Sequence, residues 1–148
     1  VNYGLAGLQE AKRSIGEPFA SGYLSQTFFD SVRLGITQTD WYLWFPQDYA
    51  LLGVQTTPAT TRTNQAWAWT YEQLVGSQLR ACYDSTSAVV CGFTKNNENF
   101  AIAWSPSGAP SQVQIPAGLT KQCDIAGVCT QITQETANLG IEPVRISR

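Results

Sequence analysis

Apolar side chains at Ala20, Leu24, Phe28 and Val32 recur every four residues, with Tyr23 and Thr27 beside them. That period sets them on one side of an amphipathic helix over residues 17–34. Glu17-Pro18 opens it, with proline tolerated in the first turn and an acid at the positive end of the helix dipole; Gly35 ends it. The run from Ile36 to Phe45 is rich in β-branched and aromatic residues and predicts a strand closed by Pro46. A polar, threonine-rich loop follows as far as Thr63. Asn64 is the expected N-cap of a second helix carrying Ala66, Trp67, Thr70, Tyr71, Leu74 and Val75, stopped by Gly76.

Beyond Gly76 the period shortens. Residues 78–83, 88–94 and 99–104 read as strands, the last two joined by Lys95-Asn96-Asn97-Glu98, whose asparagines suit a tight hairpin turn. Further strands are expected over 111–115, 119–124, 128–132 and 143–146. Regular short strands with turn signals between them predict a small β-sandwich. The chain thus divides into 1–76, alternating helix and strand, and 77–148, all β. The first part is incomplete, because a lone strand leaves both its edges unpaired. Either its partner strands lie outside this sequence, or it joins the later sheet.

Composition removes several kinds of chemistry. The 148 residues are 43% hydrophobic and 14% charged, with a net charge of −2, and carry no cluster of lysine or arginine. Nucleic acid and anionic membrane are poor partners for such a surface. No apolar run approaches the roughly 18 residues that span a bilayer. Histidine is absent, which excludes a Ser-His-Asp or Cys-His nucleophile and any His-containing zinc site built from this chain alone. Acid–base work falls to the eleven carboxylates. Methionine is absent too, and Val1 follows no basic or apolar leader pattern, so the chain reads as a processed product or a fragment.

The four cysteines fall as two close pairs, Cys82 with Cys91 and Cys123 with Cys129. Neither has the C-x-x-C spacing of a zinc knuckle or a redox site. Two local disulfides between neighbouring antiparallel strands are expected, against free buried thiols or a crossed connectivity. They imply an extracellular or periplasmic compartment.

The order of motifs is a short Val1-Asn2-Tyr3-Gly4 piece, a helix, a strand closing on Trp41-Tyr42-Leu43-Trp44, a loop and a helix ending Leu74-Val75-Gly76. A small sandwich follows, with Phe100-Ala101-Ile102-Ala103-Trp104 as a central strand and Pro143-Val144-Arg145-Ile146 closing it. This order resembles the C-terminal portion of a clan-A glycoside hydrolase. The resemblance implies the last elements of a (β/α)₈ barrel, an α/β remnant, followed by an appended β-sandwich. Residues 1–4 would end barrel strand seven, 17–34 would be helix seven, 36–45 strand eight and 64–75 helix eight. It further implies a retaining hydrolase with two glutamates, at the ends of strands four and seven. Strand four is missing from this sequence and the strand-seven nucleophile is expected just before Val1. No catalytic residue is therefore expected in the chain itself, and a second chain or N-terminal segment would complete the barrel. No metal or organic cofactor is implied.

Under the resemblance Trp44 looks like the family's platform tryptophan, at the barrel mouth where an aromatic face stacks on a sugar ring. Tyr42 shares its parity; Trp41 has the opposite parity and is expected to pack outward against a helix. Asn2 and Tyr3 adjoin the nucleophile position and are candidate pocket residues. Each has a plainer reading: aromatic strand residues are ordinarily core, and a terminus ordinarily frays. Asp40, Asp48 and Glu72 are potential acids, but no pair has a spacing that forces shared geometry. Asp40 alternates with Tyr42 and Trp44 and could share their direction, against the plainer reading of a solvated or structural carboxylate. Trp67 and Trp69 lie about 200° apart on a helix, so one at most belongs to its buried face. Trp104 is expected to fill the sandwich core. Two functions compete: a secreted glycoside hydrolase acting on a carbohydrate substrate, and a non-catalytic extracellular carbohydrate-binding or surface-interaction module. A third is a structural partner within a larger assembly.

Overall fold

The structure, a computed structural model, describes residues 17–41 and 61–148. Helix α1 (Phe19–Arg33) ends as its glycine dictates. Gly35 has φ +70°, its N–H donates to Val32 O and the Ile36 N–H donates to Ser31 O, the paired closure of a Schellman turn. Helix α2 (Arg62–Leu74) starts slightly earlier than its sequence suggests. Thr61 is the N-cap, and its side chain accepts from the Asn64 N–H; Asn64 itself lies inside the helix. Threonine wins because it sits three residues ahead of that free N–H, where a hydroxyl reaches it.

Eight antiparallel strands follow: β1 (Gln78–Asp84), β2 (Val89–Lys95), β3 (Glu98–Trp104), β4 (Ser111–Gln114), β5 (Lys121–Cys123), β6 (Cys129–Gln131), β7 (Thr136–Leu139) and β8 (Val144–Ser147). A six-stranded sheet runs β1-β2-β3-β8-β5-β6, and β4 pairs with β7 as a second, two-stranded sheet. The β2–β3 hairpin turns through Asn96 and Asn97 with φ +50° and +64°, and Lys95 pairs with Glu98 across it. Two consecutive left-handed residues are what a type I′ turn needs, and asparagine tolerates them. Both cysteine pairs are disulfides. Cys82 stands directly opposite Cys91, and Cys123 opposite Cys129.

Alternation along β3 sorts the core into two layers. Phe100, Ile102 and Trp104 point one way, joining Val89, Cys91 and Phe93 of β2 against Phe29 of α1 and Ala66 and Trp69 of α2. Ala101 and Ala103 point the other way, where Ile115, Ala137 and Leu139 close over them with Val144 and Ile146 of β8. Large residues therefore meet the helices, and alanines admit the second sheet at close range. The result is three layers: helices, six-stranded sheet, two-stranded sheet. Trp104, 1% exposed, lies in the helix–sheet layer and not between the two sheets. Its parity with Phe100 and Ile102, both helix-facing, decides this.

Residues 36–41 join neither sheet. The expected strand over 36–45 is thus irregular in its first six residues, and its remainder lies outside the described residues. β-Branched composition alone does not make a strand where no described neighbour offers a ladder of hydrogen bonds. No helix among the described residues is long and apolar enough to cross a membrane.

Candidate functional site

Of the residues that sequence reasoning links to substrate, Trp44, Tyr42, Asn2 and Tyr3 lie outside the described residues, as does Asp48. Their neighbour Trp41 packs on α1, with ring centroids 6.2 Å from both Tyr23 and Phe28. The helix contact is the expected one, but it is made from an irregular segment and not through strand alternation. Phe28 meets Trp67 of α2 edge-on at 5.0 Å. These four aromatics gather on Ala20 and Leu24. Trp67 and Trp69 consequently serve opposite sides of α2, Trp67 in this cluster and Trp69 in the sheet-facing core. Both are packed, so the helix is covered on two sides where a single buried face was expected. α1 is likewise two-sided: Phe29 and Val32 face the sheet, and Ala20, Leu24 and Phe28 face the aromatic cluster. Asp40 is exposed and accepts from the Gln38 amide; Glu72 is exposed, and its backbone carbonyl accepts from Lys95 Nζ.

Sequence reasoning misses the densest polar cluster among the described residues, which joins the starts of both helices. The Glu17 carboxylate caps the two together. One oxygen accepts the Ser21 N–H of α1 at 3.1 Å, and the other accepts the Thr63 N–H of α2 at 3.1 Å as well as the Thr63 hydroxyl. An anion at two helix N-termini satisfies unpaired N–H groups and lies favourably in both dipoles. Glu142, just ahead of β8, adds the third arm. Its Oε1 accepts from Arg62 Nε at 2.8 Å and from the Ser21 hydroxyl, and its Oε2 accepts from Arg62 Nη2 at 2.6 Å. Asp124 Oδ2 stands 3.9 Å from Arg62 Nη2.

The hydrogen bond to Glu142 is the main influence holding the Arg62 guanidinium pKa above its usual value. Burial works against it, and the charges of Glu142, Asp124 and Glu17 add to the rise. Only the Glu17 half of this cluster has a local signal in sequence, an acid before a helix. Glu142 lies 80 residues from Arg62 and 121 from Ser21, a separation no spacing rule reaches.

Chemically, the cluster is a clamp. A retaining acid–base pair needs carboxyl groups about 5–5.5 Å apart that face a substrate. Here the oxygens of Glu17 and Glu142 are taken up by helix N–H groups, hydroxyls and a guanidinium. Among the described residues no group of three or more His, Cys, Asp or Glu side chains is arranged to hold a metal ion.

No family model and no curated protein matches this sequence. Among solved structures, the chain is similar to a family 39 glycoside hydrolase from the gut symbiont Bacteroides cellulosilyticus WH2, with a TM-score of 0.59 and 17% sequence identity. The similarity covers 86% of this chain and 29% of that one. At this identity the likeness is one of fold: the chain folds like part of a glycoside hydrolase, spanning under a third of that protein's length.

Proposed function

We propose that this chain is the C-terminal part of a secreted, retaining glycoside hydrolase. Residues 1–76 contribute the last elements of a (β/α)₈ barrel, and residues 77–148 form the β-sandwich appended to it. The observation that carries the reading is the fold likeness to part of a glycoside hydrolase. The two-sided packing of α1 and α2 supports it, since helices with one face on the sheet and a second apolar face elsewhere suit a layer between a sandwich and a barrel. The disulfides Cys82–Cys91 and Cys123–Cys129 support export to an oxidising compartment.

On this reading both catalytic glutamates come from residues outside the 148. One attacks the anomeric carbon while the other protonates the departing oxygen. The second then takes a proton from the water that releases the sugar. Trp44 stacks on a sugar ring, and Tyr42, Asn2 and Tyr3 line the same subsite. The substrate is a carbohydrate.

The test compares the 148-residue chain with the product of its complete reading frame, on p-nitrophenyl glycosides of both anomers of the common pentoses and hexoses. Release of p-nitrophenol by the complete product and none by the 148-residue chain is the expected outcome. Turnover by the 148-residue chain, or by neither, would overturn the reading.

A further inference from the structure

The clamp at the helix starts is built by both halves of the chain. Glu17 ties the beginning of α1 to the beginning of α2 within one carboxylate. The opposing arm comes from the segment before β8. Beside Glu142, the Ile141 carbonyl accepts from Gln26 Nε2 at 2.6 Å, and a Cβ on Gly22 would stand 2.7 Å from that same oxygen. Glycine is needed there because the segment lies directly on the helix backbone. The segment is fixed in turn to the end of β3, where the Ser105 N–H donates to Gly140 O at 2.8 Å. Asp124, opposite Arg62, accepts the Ala126 and Val128 N–H groups inside the turn that the Cys123–Cys129 disulfide closes. Every sheet-side contact of the clamp thus comes from a braced turn.

We infer that Glu142 is a positioning residue, through which the β-sandwich sets where the starts of α1 and α2 stand. The chain enters these helices from residues 1–16 and 42–60, the stretches holding Asn2, Tyr3, Tyr42 and Trp44. In a (β/α)₈ barrel, helix N-termini follow the loops at the catalytic rim. The sandwich therefore acts on the geometry of the sugar subsite without touching sugar, a consequence that rests on the hydrolase reading above.

Glu142→Gln keeps the size of the side chain and an acceptor for Ser21 while removing the charge opposite Arg62. Glu98→Gln, which removes the exposed partner of Arg145, is the control. Amide hydrogen exchange on the 148-residue chain tests the clamp itself. In Glu142→Gln the Ser21, Thr63 and Asn64 amides are expected to exchange about tenfold faster while residues 89–104 keep their rates. Glu98→Gln leaves the helix starts unchanged. A uniform rise over all amides, or none, overturns the inference.

The complete protein gives the second readout. Glu142→Gln is expected to lower kcat by about tenfold on an aryl glycoside that the wild type cleaves, with KM altered less. A wild-type kcat alongside faster exchange at the helix starts overturns the positioning role. A wild type that cleaves no glycoside sinks the hydrolase reading instead, and the exchange pattern alone then decides whether the clamp sets the helix starts.

Discussion

The Glu142 carboxylate and the Arg62 guanidinium meet fork to fork, Nε to Oε1 at 2.8 Å and Nη2 to Oε2 at 2.6 Å, across 80 positions of chain. The side chains are 15% and 31% exposed, so the pair is shielded well beyond an ordinary surface bridge and still short of full burial. Removing one member leaves the other charge half-buried and, for Glu142, also takes an acceptor from the Ser21 hydroxyl. Glu142→Ala is expected to lower stability by about 1–3 kcal/mol in urea unfolding; a change under about 0.5 kcal/mol would return the pair to the surface class. The raised Arg62 pKa fixes the sign with pH. Its contribution is fully present below the unfolded value and is lost only as pH rises through the still higher folded value. Titration from about pH 7 to about pH 10 should leave this share intact.

Trp104 carries the helix–sheet layer. Its ring stands 6.0 Å from that of Phe29, which also meets Trp69 at 5.9 Å and Phe93 at 6.2 Å. Trp104→Ala should cost about 3–5 kcal/mol, because its ring fills the helix–sheet core beside Phe29 and is 1% exposed. On the opposite face Ala103 is fully buried beneath the two-stranded sheet. Ala103→Leu should destabilise by about 1–3 kcal/mol through overpacking. Urea unfolding of the two variants checks the assignment of faces: a mild Trp104→Ala, or a neutral Ala103→Leu, would mean that β3 does not divide the core in this way.

Much of this was legible in local sequence because local chemistry decides it. Asn96-Asn97 forces its turn, Gly35 and Gly76 stop their helices with φ of +70° and +76°, and cysteines close in sequence meet across adjacent strands. β7 has no clear sequence signal because Thr136-Ala137-Asn138-Leu139 has only two apolar residues, whose alternation gains meaning only against the alanine face of β3. The side taken by Trp104, towards the helices and not between the sheets, is hidden in sequence for a related reason. Alternation separates two faces of a strand without saying which one a helix will cover. Residues 36–41 have strand-like composition but lack a described partner, and pairing is a tertiary matter. The Glu142 arm of the clamp had no local signal at all, and the four expected sugar-contacting residues lie outside the described part of the chain.

The helices complete one face of the six-stranded sheet, so the β portion should not stand alone. Residues 77–148 expressed by themselves would bare Phe93, Phe100, Ile102 and Trp104, all buried in the whole chain. The expected result is strong binding of a hydrophobic dye and a broad thermal transition. A sharp, dye-free transition would mean the sheet needs no helical cover.

Stacking by Trp44 is tested in the complete protein. Trp44→Ala is expected to lower kcat/KM by about tenfold or more, the loss of a desolvated aromatic contact. An unchanged value would make Trp44 a packing residue.

The most direct test of the hydrolase reading follows the anomeric proton by NMR as the complete protein cleaves an aryl glycoside. Two carboxylates working through a glycosyl-enzyme intermediate should release first the sugar with the configuration of the substrate. Release of the opposite anomer would contradict the retaining mechanism, and absence of any hydrolysis would contradict the hydrolase itself.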